Sequence, residues 1–408
     1  MLTLKLALRN LRRNLRRSII TGSAIAFGMA FLLFASGFRD GMVQKVIAQG
    51  VGSGAGHVVI QGPGWQEERE LRNTVPDTPA VVTRLGQLLP AATIVKRVYL
   101  DGLLTSPQSA STVTVEAVEP ACEQQVSDLP RRVVAGQYLD GDGRGIVIGR
   151  ALAKNLAVDL GDKVVLMVQS GSEVQSQLFR VKGLVSTGVD ELDSGCAQIE
   201  LAVAQQLVGL GNDVHQVSVH LPDASATAAT TALVQTTFAG SAFDVIPWQQ
   251  ALPELAKYVA HQQGDVVIMF GVIFFMVALG IVNTVLMSVF ERVREFGVML
   301  SLGAAPGRLA RLILAESALL GLFAVVAGVV FGLLLNWSLW AHGLDMARLY
   351  GGGVEVAGMA IDMVIYSGLT ATKTLSYALA VWLLTVATAI YPAYKAATLQ
   401  PVECLQHH

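Results

Sequence analysis

Four strongly apolar stretches of this chain contain no Asp, Glu, Lys or Arg: residues 18–38, 266–290, 317–344 and 374–394, which are 21, 25, 28 and 21 residues long. A helix rises about 1.5 Å per residue, so about 20 apolar residues cross the roughly 30 Å hydrocarbon layer of a bilayer. Each stretch is long enough, and helices of a soluble core rarely reach such a length without a charge. Only 15% of the chain is charged and 52% is hydrophobic, where a soluble domain carries about 25% charged residues. The fold class predicted is an α-helical membrane protein with four transmembrane helices, at 18–38, 266–290, 313–344 and 374–394.

Lysine and arginine set the orientation. The opening "LTLKLALRNLRRNLRRS" holds Lys5, Arg9, Arg12, Arg13, Arg16 and Arg17 and no acid, which places residues 1–17 in the cytoplasm. Signal peptides also begin with basic residues, but their apolar core runs to about 7–15 residues. The 21 apolar residues here predict a retained anchor. Leu4, Leu8, Leu11 and Leu15 fall on one helical stripe with the basic residues on the other side, the pattern of a helix lying in the membrane surface.

Alternation then places 39–265 outside the cytoplasm, 291–312 inside with Arg292, Arg294, Arg308 and Arg311 nearby, 345–373 outside, and 395–408 inside. This is one helix, a large domain outside the cytoplasm, then three helices.

Within 39–265 the periodicity changes. "GHVVIQG", "ATIVKRVYL", "STVTVEAVE", "GIVIG", "DKVVLMVQS", "SQLFRVKGLV", "CAQIEL" and "HQVSVHL" read as strands; "TPAVVTRLGQLL", "GRALAKNLAV", "LAVAQQLVGL", "DASATAATTALVQTTF" and "WQQALPELAKYVAHQQ" read as helices. The mixture predicts an α+β domain, with a membrane-proximal part at 45–120 and 215–260 and an insertion at 121–214. Cys122 and Cys196 fall in it, and spacing leaves open whether they pair or stay free. Cys404, His407 and His408 receive no role.

The chemistry of common enzymes is missing. There is no G-x-x-x-x-G-K-[ST] phosphate loop, no H-E-x-x-H and no G-x-S-x-G. "GDGRG" at 141–145 reads as a turn. No catalytic residue and no metal ligand is assigned. A net charge of −2 gives no basis for a nucleic-acid partner.

"ERVREFGVMLSLGAAPGRLARL", residues 291–312, separates two spans and is longer than a connector requires. Val293, Phe296 and Leu300 make an apolar stripe among Glu291, Arg292, Arg294 and Glu295. Gly303 can end that helix and Pro306 can open the next. Two readings stand on pattern alone: an amphipathic connector, or a helix that docks into a groove of a cytoplasmic protein.

The stretch, followed by "ILAESALLGLFAVVAGVVFG", resembles the coupling segment and third helix of FtsX/MacB-type ABC transporter permeases, with the look of their LolC/LolE lipoprotein-release members. "LALRNLRRNLRRS" resembles the family's N-terminal surface helix, "VAGQYLD…GIVIGRALAKNLAVDLGDKVVL" its outer domain, and "YPAYKAATLQPVECLQ" its C-terminal signature. The resemblance implies that Glu291, Arg292, Arg294, Glu295 and Gly297, its E-R-x-R-E-x-G, contact the ATPase, with Phe296 expected as the exposed aromatic anchor. Gly303 matches the Gly of an A-x-G in which Ser301 replaces the usual Ala. Glu316 matches a family glutamate at the start of the third helix, readable as an interfacial structural group or a proton site.

Small residues at four-residue spacing mark close helix contacts in membranes: Ser18, Gly22, Ala26 and Ala30 in the first span, and Ala324, Gly328 and Gly332 in the third. Phe27, Phe31, Phe34, Phe270 and Phe274 either line a lateral opening for acyl chains or face ordinary lipid. The resemblance further implies no cofactor in this chain, ATP and Mg bound by a partner ATPase dimer, and a second permease copy or paralogue. It also implies contact with membrane lipid, and a lipoprotein substrate handed to a periplasmic carrier. Two other functions fit the same parts: a mechanotransmission regulator of a periplasmic enzyme, and MacB-like efflux with a periplasmic adaptor.

Overall fold

A computed structural model describes the chain except residues 1, 14, 172, 303–304, 347–353, 357–358, 362–363 and 399–408. Gly303, Cys404 and the Pro-Val-Glu tail therefore lie outside the described residues. In chain order come α1 (Leu2–Arg13), α2 (Leu15–Gly50), a π-helical turn (Val51–Ala55), β1 (Val58–Gln61), α3 (Thr78–Leu88), β2 (Thr93–Thr105), β3 (Ala110–Val118), α4 (Pro120–Val126) and β4 (Val133–Gly136). Then follow β5 (Gly145–Gly149), α5 (Arg150–Leu156), β6 (Lys163–Ser170), β7 (Glu173–Val185), α6 (Asp190–Gly195), β8 (Cys196–Glu200), α7 (Leu201–Val208), β9 (Gln216–His220), α8 (Thr227–Thr237), β10 (Asp244–Pro247) and α9 (Trp248–Ala251). The last helices are α10 (Pro253–Glu291), α11 (Val293–Ser301), α12 (Pro306–His342), α13 (Ala371–Thr388) and α14 (Ile390–Ala397). Two compact units result: Met1–Gln44 with His261–Leu344 and Val364–His408, and Lys45–Ala260 with Asp345–Met363.

In the helical unit, four segments are long and apolar enough to cross a membrane: Ser18–Ala55, Phe270–Glu291, Pro306–His342 and Ala371–Ala397. They contain the stretches 18–38 and 374–394 whole and cover most of 266–290 and 317–344. Pro306 opens α12 at its first turn, where its missing N–H costs nothing. The fourth stretch is not one helix to residue 394: α13 stops at Thr388 and α14 starts at Ile390. Pro392 explains the break, because it cannot donate to the carbonyl of Thr388.

The first and third spans meet through their small residues. A Cβ on Gly328 would lie 2.6 Å from the Ala26 carbonyl oxygen, and one on Gly332 would lie 3.2 Å from the Ala30 Cα. Gly22 faces Leu320 and Ala324 at looser range, 3.7 and 4.0 Å. Backbones this close gain dispersion contact that larger side chains would prevent.

In the other unit, β2, β3, β8, β5, β7 and β6 form a closed ring, each hydrogen-bonded to the next and β6 back to β2. β9, β1 and β10 extend as a wing from the first half of β2. β2 pairs β9 over Thr93–Arg97 and β6 over Gly102–Thr105. Gly102 sits where the partner changes; a Cβ there would lie 2.5 Å from the Met167 carbonyl oxygen. The ring joins β3 and the second half of β2, which precede residue 121, to β5–β8, which follow it. One buried cluster, including Ile60, Leu100, Val115, Ile148, Phe179 and Val217, runs through ring and wing. Cys122 and Cys196 are both free thiols.

Candidate coupling site

The predicted docking stretch forms α11, nine residues set off from α10 by a break at Arg292. Val293 and Phe296 turn inward. Phe296 has 0% of its surface exposed and joins the buried cluster that holds Val289, Leu309, Ile313, Ala393 and Ala396. This corrects the expectation that Phe296 is the exposed anchor. The i, i+3 stripe that looked like a docking knob is what fastens α11 to its own bundle. Val293 and Gly297 are buried beside it. From Glu291 to Leu302 the exposed residues are Glu291, Arg294, Glu295, Val298, Ser301 and Leu302, and those within α11 form its outer face.

Arg292 is also buried, at 8% exposure. Its guanidinium lies 5.0 Å from the Phe296 ring centroid, a cation–π contact. Nη1 donates to both oxygens of Glu316, at 3.1 and 3.0 Å, and Nε donates to Glu295 Oε2 at 3.1 Å. Glu316, one turn into the apolar run of α12, therefore has a cation beside it, as a carboxylate at such a depth requires. The side-chain amide of Asn10 also donates to Glu316, and Arg13 pairs with Glu295. Burial acts to raise the Glu295 pKa, but the bonds from Arg13 and Arg292 prevail and hold it below the usual glutamate range.

One polar network thus fastens three helices, α1, α11 and α12. Sequence reading missed Asn10 and Arg13. The one signal was Asn10, which with Asn14 is an uncharged polar residue in a basic run. The leucine stripe divides: Leu8 and Leu15 are 38% and 56% exposed and available to lipid, Leu11 is half-buried, and Ala7 beside them is fully buried.

The phenylalanines divide. Phe27 and Phe31 face outward, at 69% and 47% exposure. Phe34 is partly buried and stacks with Phe38. Phe270 is buried edge-on to Tyr377, 5.2 Å between centroids, with Phe274 beside it. The five do not form one lining.

In the outer unit, the turn that follows α2 is held by a single carbonyl. The Gly54 oxygen accepts from Arg97 Nη1, from Gln216 Nε2 at 2.9 Å and from Ser218 Oγ at 2.6 Å. Gly54 has φ +144°, a conformation side chains rarely adopt. Arg97 is fully buried and donates to Glu123 Oε2 at 2.6 Å, itself 1% exposed. Burial tends to lower the Arg97 pKa, but the charges of Glu123, Tyr99 and Glu116 and the hydrogen bond to Glu123 together prevail and raise it.

Among the described residues, one cluster has the donors for a metal, Asp140, Asp142 and Glu200. Lys182 already pairs with both aspartates, 2.6 Å from Asp142.

Residues 267–401 match the model of the FtsX-like permease C-terminal domain, and residues 18–237, more than half the chain, match that of the MacB-like periplasmic core domain. The chain belongs to the FtsX/MacB-type ABC transporter permeases. It is similar to the lipoprotein-releasing system transmembrane protein LolC of Neisseria meningitidis serogroup B, at 26% identity over 75% of this chain and 76% of that one. LolC of Xylella fastidiosa is 23% identical over 94% and 92% of the two chains, and LolE of Haemophilus influenzae 24% over 94% and 92%. The family, its four apolar helices and its periplasmic core domain make this permease a multi-pass inner-membrane protein. Permease subunits of this type are typically non-catalytic and work with an ATPase.

Proposed function

We propose that this permease couples ATP hydrolysis by a separate cytoplasmic ATPase dimer to movement of its periplasmic domain, and thereby releases lipoproteins from the inner membrane. The observation that carries the substrate class is the likeness to lipoprotein-releasing LolC and LolE over nearly the whole chain. In this reading the N-terminus and α11 are cytoplasmic, the outer face of α11 meets the ATPase, and ATP and Mg reside in that partner. Arg292, Glu316, Asn10 and Arg13 pass displacement of α11 to α12 and α1. The unbroken run of α2 carries displacement to the turn held at Gly54. Two permease subunits enclose the substrate path, and a periplasmic carrier takes the lipoprotein.

The test is release of a labelled lipoprotein from proteoliposomes containing the permease and its copurified ATPase. ATP-dependent transfer to a soluble carrier fraction is the expected result. Transport of a soluble drug with no lipoprotein release would favour the efflux reading, which the MacB-like core domain supports.

A further inference from the structure

Residues 271–296 and 371–396 repeat one pattern of burial, position for position, at an offset of 100 residues. Ile281, Val285 and Val289 are buried in the first copy, and Val381, Thr385 and Ala389 in the second. Past the break, Val293 and Phe296 correspond to Ala393 and Ala396, all buried. Each copy is an apolar helix, a break, and a short helix whose inner residues enter the cluster containing Leu309 and Ile313 of α12. By this geometry α14 is the counterpart of α11.

We propose that α14 is a second docking element for the cytoplasmic ATPase, with Tyr391, Tyr394 and Lys395 as its contact face. The proposal rests on the reading of α11 as the first such element. The three residues occupy the positions, offset by 100, of Glu291 at the end of α10 and Arg294 and Glu295 in α11, and all six are exposed. Three ionic side chains so placed, one at the end of α10 and two on α11, mark a depth outside the hydrocarbon, because charge is costly within it. The matching residues share the same register of burial, and the break at Ala389 comes before all three, so Tyr391 and Tyr394, 57% and 68% exposed, stand outside the hydrocarbon too. The surface is continuous with the α11 site: Lys395 Nζ lies 5.2 Å from the ring centroid of Phe290, at the end of α10. Tyrosine supplies large contact area at small entropic cost and is enriched where interfaces concentrate their energy. Lys395 adds charge complementarity to an acidic partner surface.

The experiment uses the full permease coexpressed with its ATPase, with binding affinity measured per permease molecule and hydrolysis measured in the same preparations. Tyr391→Ala with Tyr394→Ala should weaken ATPase binding about tenfold and lower stimulated hydrolysis in step. The Tyr391→Phe, Tyr394→Phe pair should retain most of both. Arg294→Glu on α11 is the parallel arm. Weakening by Arg294→Glu alone would overturn this proposal and leave the α11 reading standing. Weakening by the tyrosine pair alone would support it and remove the α11 reading. Weakening by neither would end both. A lower yield of permease in the membrane with unchanged affinity per molecule would assign the tyrosines to lipid anchoring and overturn the proposal.

Discussion

Arg292 and Glu316 face each other across the break between α10 and α11, one guanidinium nitrogen 3.1 and 3.0 Å from the two carboxylate oxygens. Neither group is free to turn to water, and each makes the other tolerable in its place. Glu316→Ala leaves the buried arginine with only the more exposed Glu295 as partner, which should cost up to about 3 kcal/mol. The purified permease should melt at a lower temperature and stimulate its ATPase less. Arg292→Met with Glu316→Met should recover most of the melting temperature, because no unpaired charge remains. Recovery of the melting temperature without recovery of stimulation would separate the pair's coupling role from its structural one. An unchanged melting temperature in Glu316→Ala would show that the pair does not hold α11.

Phe296 and Arg294 should fail in different ways. Phe296→Ala opens a hole in a closed core and should destabilise the helical unit by about 3–5 kcal/mol. Arg294 is exposed, so Arg294→Glu should leave the melting temperature alone and weaken ATPase binding. Normal stability in Phe296→Ala with lost binding would return the aromatic to the interface.

Gly328 and Gly280 make a matched contrast. A methyl on Gly328 meets the Ala26 carbonyl oxygen at 2.6 Å, whereas one on Gly280 meets nothing within 4 Å. Gly328→Ala should therefore push α2 and α12 apart at a cost of about 1–3 kcal/mol. Gly280→Ala should be neutral or slightly stabilising, since alanine is the better helix former. Thermal unfolding in one detergent compares them; equal effects would refute the close contact.

The Gly54 clamp is tested by Arg97→Ala. The substitution removes one donor to Gly54 and leaves Glu123 buried without its cation, so a loss of about 3–5 kcal/mol follows. Hydrogen exchange at residues 51–56 should accelerate, while exchange in α12 should not. Unchanged protection at 51–56 would mean that Gln216 and Ser218 suffice.

Acid should loosen the outer domain through two histidines. Burial pushes His215 down to about 4, and burial with the Arg97 and His57 charges pushes His220 down to about 3. The unfolded chain takes up these protons below about pH 6.5, while the folded domain does not. Their contribution to stability is thus whole above pH 6.5 and falls as pH drops from there toward 4 and 3. The slope is about 1.4 kcal/mol per pH unit for each histidine. Melting temperatures measured between pH 7.5 and 5.5 should fall, and His220→Phe, which keeps a ring at that place, should flatten the dependence. Parallel curves for the variant and the parent would exclude His220.

The sequence by itself determined the elements and their class. Uncharged length marked the four apolar helices, and alternation marked eight of the ten strands in the large sheet. β4 and β10, four residues each, are too short to show a period. Small residues at fixed spacing marked Gly328 and Gly332 before their neighbours were known, because only a glycine's absence of side chain allows that approach. Tertiary structure decided which way each amphipathic face turns. Periodicity says that Val293 and Phe296 share a face with a partner; it does not say whether the partner is another protein or the chain's own α12. The polar sites were hidden for the same reason. Asn10 reaches Glu316 across 306 residues, and Arg97 and Ser218 meet at Gly54 only after β2 and β9 have paired. A buried hydrogen bond needs its donor and acceptor brought together in space, and no local pattern of residues records that meeting.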